Sequence, residues 1–234
     1  MTANNARALK IKALKIHKLL LGVYGDPPRP RLDPVSELVS TILSQSTNDT
    51  LRDRAYDRLR AQFPTWEDVR DGSVREIAKA IQVCGLSQQK APRIKKALQQ
   101  ITRERGQLDL SFLSGLSVEE ARAWLMSIEG VGPKTAAIVL LFSLNMPAFP
   151  VDTHVHRVTG RLGLIAPKTS ADKAHPILEG LLPPELYLPF HLNLILHGRR
   201  VCHARGPQCG VCVLKRLCVY YRNVMRTQNG GQET

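Results

Sequence analysis

The chain has 234 residues, 43% of them hydrophobic, so it can bury one sizeable core or two modest ones. It carries 33 Lys and Arg against 20 Asp and Glu, and an excess of that size points to a polyanion, most often nucleic acid. No apolar run reaches the length of a membrane span, which excludes a helical membrane protein.

Helical periodicity dominates from the start. Ala8–Leu21 is amphipathic, with Leu and Ile between its lysines, and reads as a helix rather than a secretory signal. Asp26-Pro-Pro-Arg-Pro30 then breaks the chain. Ser36 is a candidate cap for a helix carrying Leu38, Val39, Ile42 and Leu43. Leu51–Phe63 repeats the pattern until Pro64, and Thr65-Trp-Glu-Asp68 looks like a cap opening a short helix. Ser73–Ile81, Gln88–Arg105, Val118–Ile128, Lys134–Leu144, Thr153–Leu162, Ser170–Leu182 and Leu188–His197 read likewise. No alternating β-run stands out, so the predicted fold is all-α. The last residues, Gln228–Thr234, read as a frayed tail.

The charge is not evenly spread. Residues 1–31 hold seven Lys or Arg, Arg29 and Arg31 among them, and one acid, Asp26. Residues 186–232 hold seven more, ending at Arg226, and no acid. Two basic ends around a mixed middle favour a polyanion-binding face over random solvation.

Four of the five cysteines fall in one window, Cys202, Cys209, Cys212 and Cys218, spaced C-x6-C-x2-C-x5-C. With no export signal, metal ligation is a better use for them than disulfides. Structural zinc sites usually come as two CxxC-like pairs separated by a longer loop. A single compact run suits a larger inorganic body such as an iron–sulfur cube, although zinc stays compatible with the ligand set.

The segment Leu125–Leu140 joins two helices through Gly130-Val-Gly132. Two glycines around one apolar residue permit a tight turn and close backbone approach. Pro133 stands where the first helical residue should be, and the free N–H groups beside Gly132 suit a phosphate. Lys134 lies in the first turn, where the helix dipole disfavours a cation and should lower its pKa. It can be a nucleophilic amine or a phosphate-binding lysine. Further on, Asp152 in Phe149-Pro-Val-Asp-Thr-His154 is placed to cap the next helix, which would hold its carboxylate ionised. A fixed anion there can stabilise a developing carbocation.

These residues together resemble the endonuclease III family, the helix–hairpin–helix DNA glycosylases with an iron–sulfur cluster. The resemblance runs from Leu38-Val-Ser-Thr-Ile-Leu-Ser44 through Gly85-Leu86, Gly130-Val-Gly-Pro-Lys-Thr-Ala136, Val151-Asp-Thr-His154 and Leu194-Ile-Leu-His-Gly-Arg199 to the cysteine run. It implies a two-lobed all-α fold. Residues 27–146 would form a six-helix barrel domain with the helix–hairpin–helix at about 125–140, and residues 1–26 with 147–234 a second lobe holding a [4Fe-4S] cluster at 202–218. It also implies that Lys134 and Asp152 face a cleft between the lobes. Lys134 would attack the anomeric carbon of a flipped, oxidised pyrimidine nucleotide, Asp152 would stabilise the oxocarbenium-like transition state, and the resulting Schiff base would allow β-elimination.

The implied partner is damaged double-stranded DNA, bound by a monomer with no membrane involved. Implied DNA contacts are Gly130, Val131, Gly132, Thr135, Gln45, Ser46, Leu86, His154, Arg199 and Arg205. The expected location is the bacterial cytoplasm or a nucleus. The chain departs from the family at Leu43-Ser-Gln-Ser-Thr-Asn-Asp49, where Ser46 replaces the usual gap-filling Gln and Gln45 comes one place early, and at Pro133, which replaces a basic residue. Competing readings are a non-catalytic or lyase-only DNA-binding protein of the same fold, and an electron-transfer protein.

Overall fold

The computed structural model describes residues 3–28 and 32–230, leaving aside the side chains of residues 3 and 226–230. Arg29 and Arg31 lie outside the described residues, as does the side chain of Arg226. Among the described residues, twelve α-helices are joined by turns and short 3-10 segments, and no strand occurs. The chain divides into two compact units, residues 30–146 and residues 1–29 with 147–234.

In the first unit, α2 (Pro34–Ser44) starts on Asp33, whose carboxylate accepts from Val35 and Ser36 N–H, with Pro34 at the first helical position. Ser36 is therefore not the cap: its hydroxyl donates to Asp33 and accepts from the Trp66 indole at 3.1 Å. Asn48 caps α3 (Asp49–Gln62). Reciprocal capping boxes open α4 (Trp66–Asp71), α5 (Val74–Ala80) and α7 (Val118–Met126) through the pairs Thr65/Asp68, Ser73/Glu76 and Ser117/Glu120. The long α6 (Ser87–Arg105) crosses the unit, and Leu38, Ile42, Leu59, Ile77, Ile94 and Leu98 are fully buried in its core. The helix expected over 134–144 is shorter: α8 spans Pro133–Ile138 and widens into a π turn over Val139–Ser143. That ending goes with a hydrogen bond from Met146 N–H to the Leu140 carbonyl at 2.8 Å, which ordinary helical pairing does not supply.

In the second unit, α1 (Ala3–Tyr24) packs against α11 (Tyr187–Arg200), which packs in turn on α9 (Thr153–Leu162). Ile16, Leu20, Val155, Phe190 and Leu194 are buried there, and α10 (Ala171–Glu179) lies beside α9. The tail expected to fray from Gln228 is helical further than that: α12 runs Val219–Gly230, and residues 231–234 lie outside the described ones. Among the described residues, no helix is long and apolar enough to cross a membrane.

Candidate active site and cysteine centre

The hairpin begins where α7 ends. Val131, 5% exposed, anchors the turn, and its N–H reaches the Ile128 carbonyl at 3.0 Å. Gly130 takes φ +84, and a Cβ there would meet Arg93 Cδ at 3.1 Å, so this glycine is needed both for conformation and for space. Gly132 is extended, and a Cβ on it would meet nothing within 4 Å; its face is open. Lys134 follows in the first turn of α8 and is half-buried, whereas the Thr135 side chain is buried and can offer an outside ligand only its backbone. Glu37 of α2 was not expected from sequence. Burial pushes its carboxyl above the usual range, against the Thr41 hydrogen bond and the fields of Arg52 and Lys134.

The loop that departs from the family pattern is tied to the same hairpin. Gln45 donates through Nε2 to the Gly130 carbonyl at 3.3 Å and accepts from Arg93 Nη1 at 3.3 Å. Ser46 is exposed at φ +54, and Leu86, at φ +52, is 49% exposed. Gln45 is therefore committed inside this unit, while Ser46 and Leu86 face outward.

In the other unit, Asp152 caps α9. One carboxylate oxygen accepts from Val155 N–H at 2.7 Å, and the other meets His154 Nδ1 at 3.0 Å. Burial alone would raise its pKa, but the Val155 N–H, the field of His191 and the His154 ring together hold it below the usual carboxylate range. His175 and His191 fix the approach to this cap from the Phe149 and Pro150 carbonyls, at 2.8 and 2.9 Å. Neither histidine stood out in the sequence, because each is isolated there and lies on a separate helix.

Cys202, Cys209, Cys212 and Cys218 line one cavity, and none of the four is in a disulfide. Among the described residues, no three His, Cys, Asp or Glu side chains form a group able to hold a single metal ion. Burial pushes the Cys209 and Cys212 thiols up, and the neighbouring cysteines add to it. As thiolates these side chains could ligate a cationic body, whose charge would offset the cost of ionising them together. Arg161 lies at the cavity's edge, with Nη1 3.3 Å from Cys202 Sγ and its guanidinium 4.7 Å from the Tyr220 ring centre. It also donates to the His203 and Ala204 carbonyls, and Arg157 donates to the Cys202 and Gly198 carbonyls. His197 touches Cys212 Sγ through Nε2 at 3.4 Å and Tyr24 through Nδ1 at 3.1 Å; burial holds its pKa down to about 4. Arg199 and Arg205 are exposed, and Lys215 donates to the Gly210 carbonyl at 2.8 Å.

Residues 39–184 match the family model described as the HhH-GPD superfamily of base excision DNA repair proteins. The chain belongs to that superfamily. Within it, the chain is 33% identical over 190 residues to endonuclease III of Thermotoga maritima, covering 81% of this chain and 84% of that protein. It is 40% identical over 162 residues to a putative DNA glycosylase of Arabidopsis thaliana, covering 69% of this chain but only 55% of the plant protein. The fold superimposes on a non-covalent endonuclease III–DNA complex with TM-score 0.81 and 28% identity, over 93% of this chain and 98% of that one. A trapped covalent endonuclease III–DNA intermediate gives TM-score 0.77 at 28% identity, over 97% of this chain and the whole of the other. The chain is a base excision repair glycosylase of the endonuclease III kind.

Proposed function

We propose that the chain is a bifunctional DNA glycosylase and abasic-site lyase that acts on oxidised pyrimidines in duplex DNA. The observation that carries this reading is Lys134 in the first turn of the helix after Gly130-Val131-Gly132. Its amine, once neutral, bonds to the anomeric carbon as the glycosidic C–N bond breaks and the base departs with the electron pair, to be protonated. Asp152, held ionised by its capping bonds, stabilises the positive charge that builds on the sugar. Ring opening leaves an imine; loss of a C2′ proton then expels the 3′ phosphate, and water releases the lysine. The trapped covalent intermediate known for endonuclease III supports such a route.

Cys202, Cys209, Cys212 and Cys218 would hold a [4Fe-4S] cluster, and the shared cavity supports this. That group would bind and fold the local chain rather than take part in base release. Purified protein should then be yellow-brown, and a colourless, folded protein with stoichiometric zinc would overturn the assignment.

Incubation with an abasic duplex and borohydride tests the lyase. Wild type should give a covalent adduct, and Lys134→Ala should give none while still binding DNA. Nicking of abasic DNA by Lys134→Ala at the wild-type rate would show that another amine is the nucleophile. A second reading, a lyase-only enzyme, is favoured by one feature: the residue at the gap-filling position is the short, exposed Ser46, and Gln45 is tied to Gly130 and Arg93. An abasic site has no base to extrude, so nicking would survive a poor gap-filler. Paired rates on oxidised-pyrimidine and abasic duplexes separate the two readings.

A further inference from the structure

Lys90 is 1% exposed, in the first turns of α6, and neither base release nor strand nicking uses it. A buried ammonium survives only if its donors are satisfied. Lys90 Nζ donates to the Leu43 carbonyl at 2.8 Å and to the Cys84 carbonyl at 3.1 Å, and it lies 3.5 Å from Cys84 Sγ. Leu43 is in the last turn of α2, and Cys84 ends the 3-10 helix Gln82–Cys84. Both carbonyls belong to helix ends, where the last C=O groups lack partners and a cation is favoured. One ammonium thus closes two helix C-termini from two different parts of the chain.

Each of these termini leads directly into strained backbone. Three residues after Leu43 comes Ser46 at φ +54; just after Cys84 come Gly85 at φ +70 and Leu86 at φ +52. Positive φ is uncommon for a non-glycine residue and persists where the surroundings enforce it. Lys90 is tied to Leu86 a second time, because its own N–H bonds the Leu86 carbonyl at 2.9 Å. Arg93, three residues on along α6, holds Gln45 of the Ser46 loop. The two outward-facing probes of this unit, Ser46 and Leu86, therefore share one buried anchor.

We propose that Lys90 is a positioning residue for base extrusion, fixing Ser46 and Leu86 as one rigid pair that enters the DNA stack. The proposal rests on the glycosylase reading, in which Leu86, an implied DNA contact that is 49% exposed, acts as an apolar wedge beside the flipped base. Lys90 itself touches no DNA. Entering the stack means losing stacking and pairing, and a loose pair would offset that loss poorly.

The test uses full-length Lys90→Met, which keeps length and apolar bulk but has no donors, and Lys90→Gln, which restores an amide donor. Lys90→Met should slow release of an oxidised pyrimidine about tenfold or more while leaving nicking of a pre-formed abasic site within about threefold. It should also erase most of the preference for a tetrahydrofuran-site duplex over undamaged duplex, and Lys90→Gln should recover part of both. Leu86→Ala should cost wild type a similar factor and cost Lys90→Met little more, because the wedge is already displaced. If base release and nicking fall together in proportion to the folded fraction, or Leu86→Ala costs the same in both backgrounds, or neither Lys90 variant folds, Lys90 is only a stability element and the proposal fails. If wild type releases no oxidised pyrimidine, the substrate reading fails separately, and the tetrahydrofuran preference still decides the role of Lys90.

Discussion

In residues 30–146 the segments carrying Gln45, Leu86 and Lys134 adjoin helices that share a buried apolar core, whereas residues 201–218 have almost no core of their own. Only Leu214 and Cys218 are buried in that stretch. The first region sets backbone positions by packing, caps and one buried ammonium. The second is held by two guanidiniums on backbone carbonyls and by whatever its thiols bind. The contrast dictates how each region should fail: the first by losing precision, the second by losing its fold.

Damage to the second region should show most. If the four cysteines hold the proposed cluster, Cys212→Ala removes a ligand, and because metal binding and local folding are coupled, stabilisation on the order of several kcal/mol goes with it. Limited proteolysis should cut within 201–218 while 30–146 stays resistant. Equal resistance in the two regions would mean that the cysteine segment stands without its ligand.

Next in size is Asp152→Asn, which should slow base release by roughly a hundredfold or more through loss of a fixed charge. Asn is also a good N-cap, so Asp152→Asn should lose only the stabilisation that comes from the charge, whereas Asp152→Ala should lose the cap too, about 1 kcal/mol more. The pH dependence has a defined sign. The folded-state pKa is lowered, so the stabilisation from Asp152 is present above its unfolded value of about 3.9 and is lost as pH falls through the lower folded value. Acid-side loss of base release near pH 6, with the pKa carried by Asp152, would contradict the capping geometry. Arg161→Met comes third. It removes charged hydrogen bonds to the His203 and Ala204 carbonyls, each worth about 1.5–3 kcal/mol, and hydrogen exchange should rise in 201–206 before it rises in α6.

How much of this was readable depends on the range over which each residue acts. The cap at Thr65/Asp68 was legible because both partners sit three residues apart, and the same spacing recurs at Ser73/Glu76 and Ser117/Glu120. The all-α character, Asp152 as a cap and the gathering of the cysteines were legible for the same reason of local pattern. Ser36 misled because Asp33 and Pro34 form the cap and Ser36 only supports it. The π turn was not legible, since the apolar spacing at 139–144 also suits a plain helix. Lys90 was invisible: between Gln89 and Ala91 it reads as a solvated helix lysine, and only the return of residues 43 and 84 to the same place makes it a buried anchor. Arg161 was hidden likewise, because its partners lie some 40 residues away.

A smaller effect sharpens the comparison from the first region. Ser117→Ala removes one half of the α7 capping box ahead of the hairpin and should cost about 1 kcal/mol. Packing around Val131 should still hold the turn, so borohydride trapping at a temperature well below unfolding should be unchanged. A large fall in trapping would show that hairpin geometry depends on the cap rather than on the core.

The weakest effect concerns charge on the second region. DNA affinity should fall steeply with salt, because phosphates dominate the contacts, and each residue that neutralises a phosphate contributes about 0.9 to the log–log slope. Arg205 is exposed on the cysteine segment, whereas the Lys215 ammonium is already bonded to the Gly210 carbonyl. A lysine spent on its own backbone has less reach for a phosphate. Arg205→Gln should therefore flatten the slope by nearly the full amount, and Lys215→Gln by less. Both should weaken binding about equally on damaged and undamaged duplexes, since phosphate contacts carry no base information. If Lys215→Gln flattens the slope more than Arg205→Gln, the bond to Gly210 gives way when DNA binds, and the segment is looser than its guanidinium ties imply. If neither substitution changes the slope, the basic charge of this segment is a solvated surface, and DNA is held elsewhere.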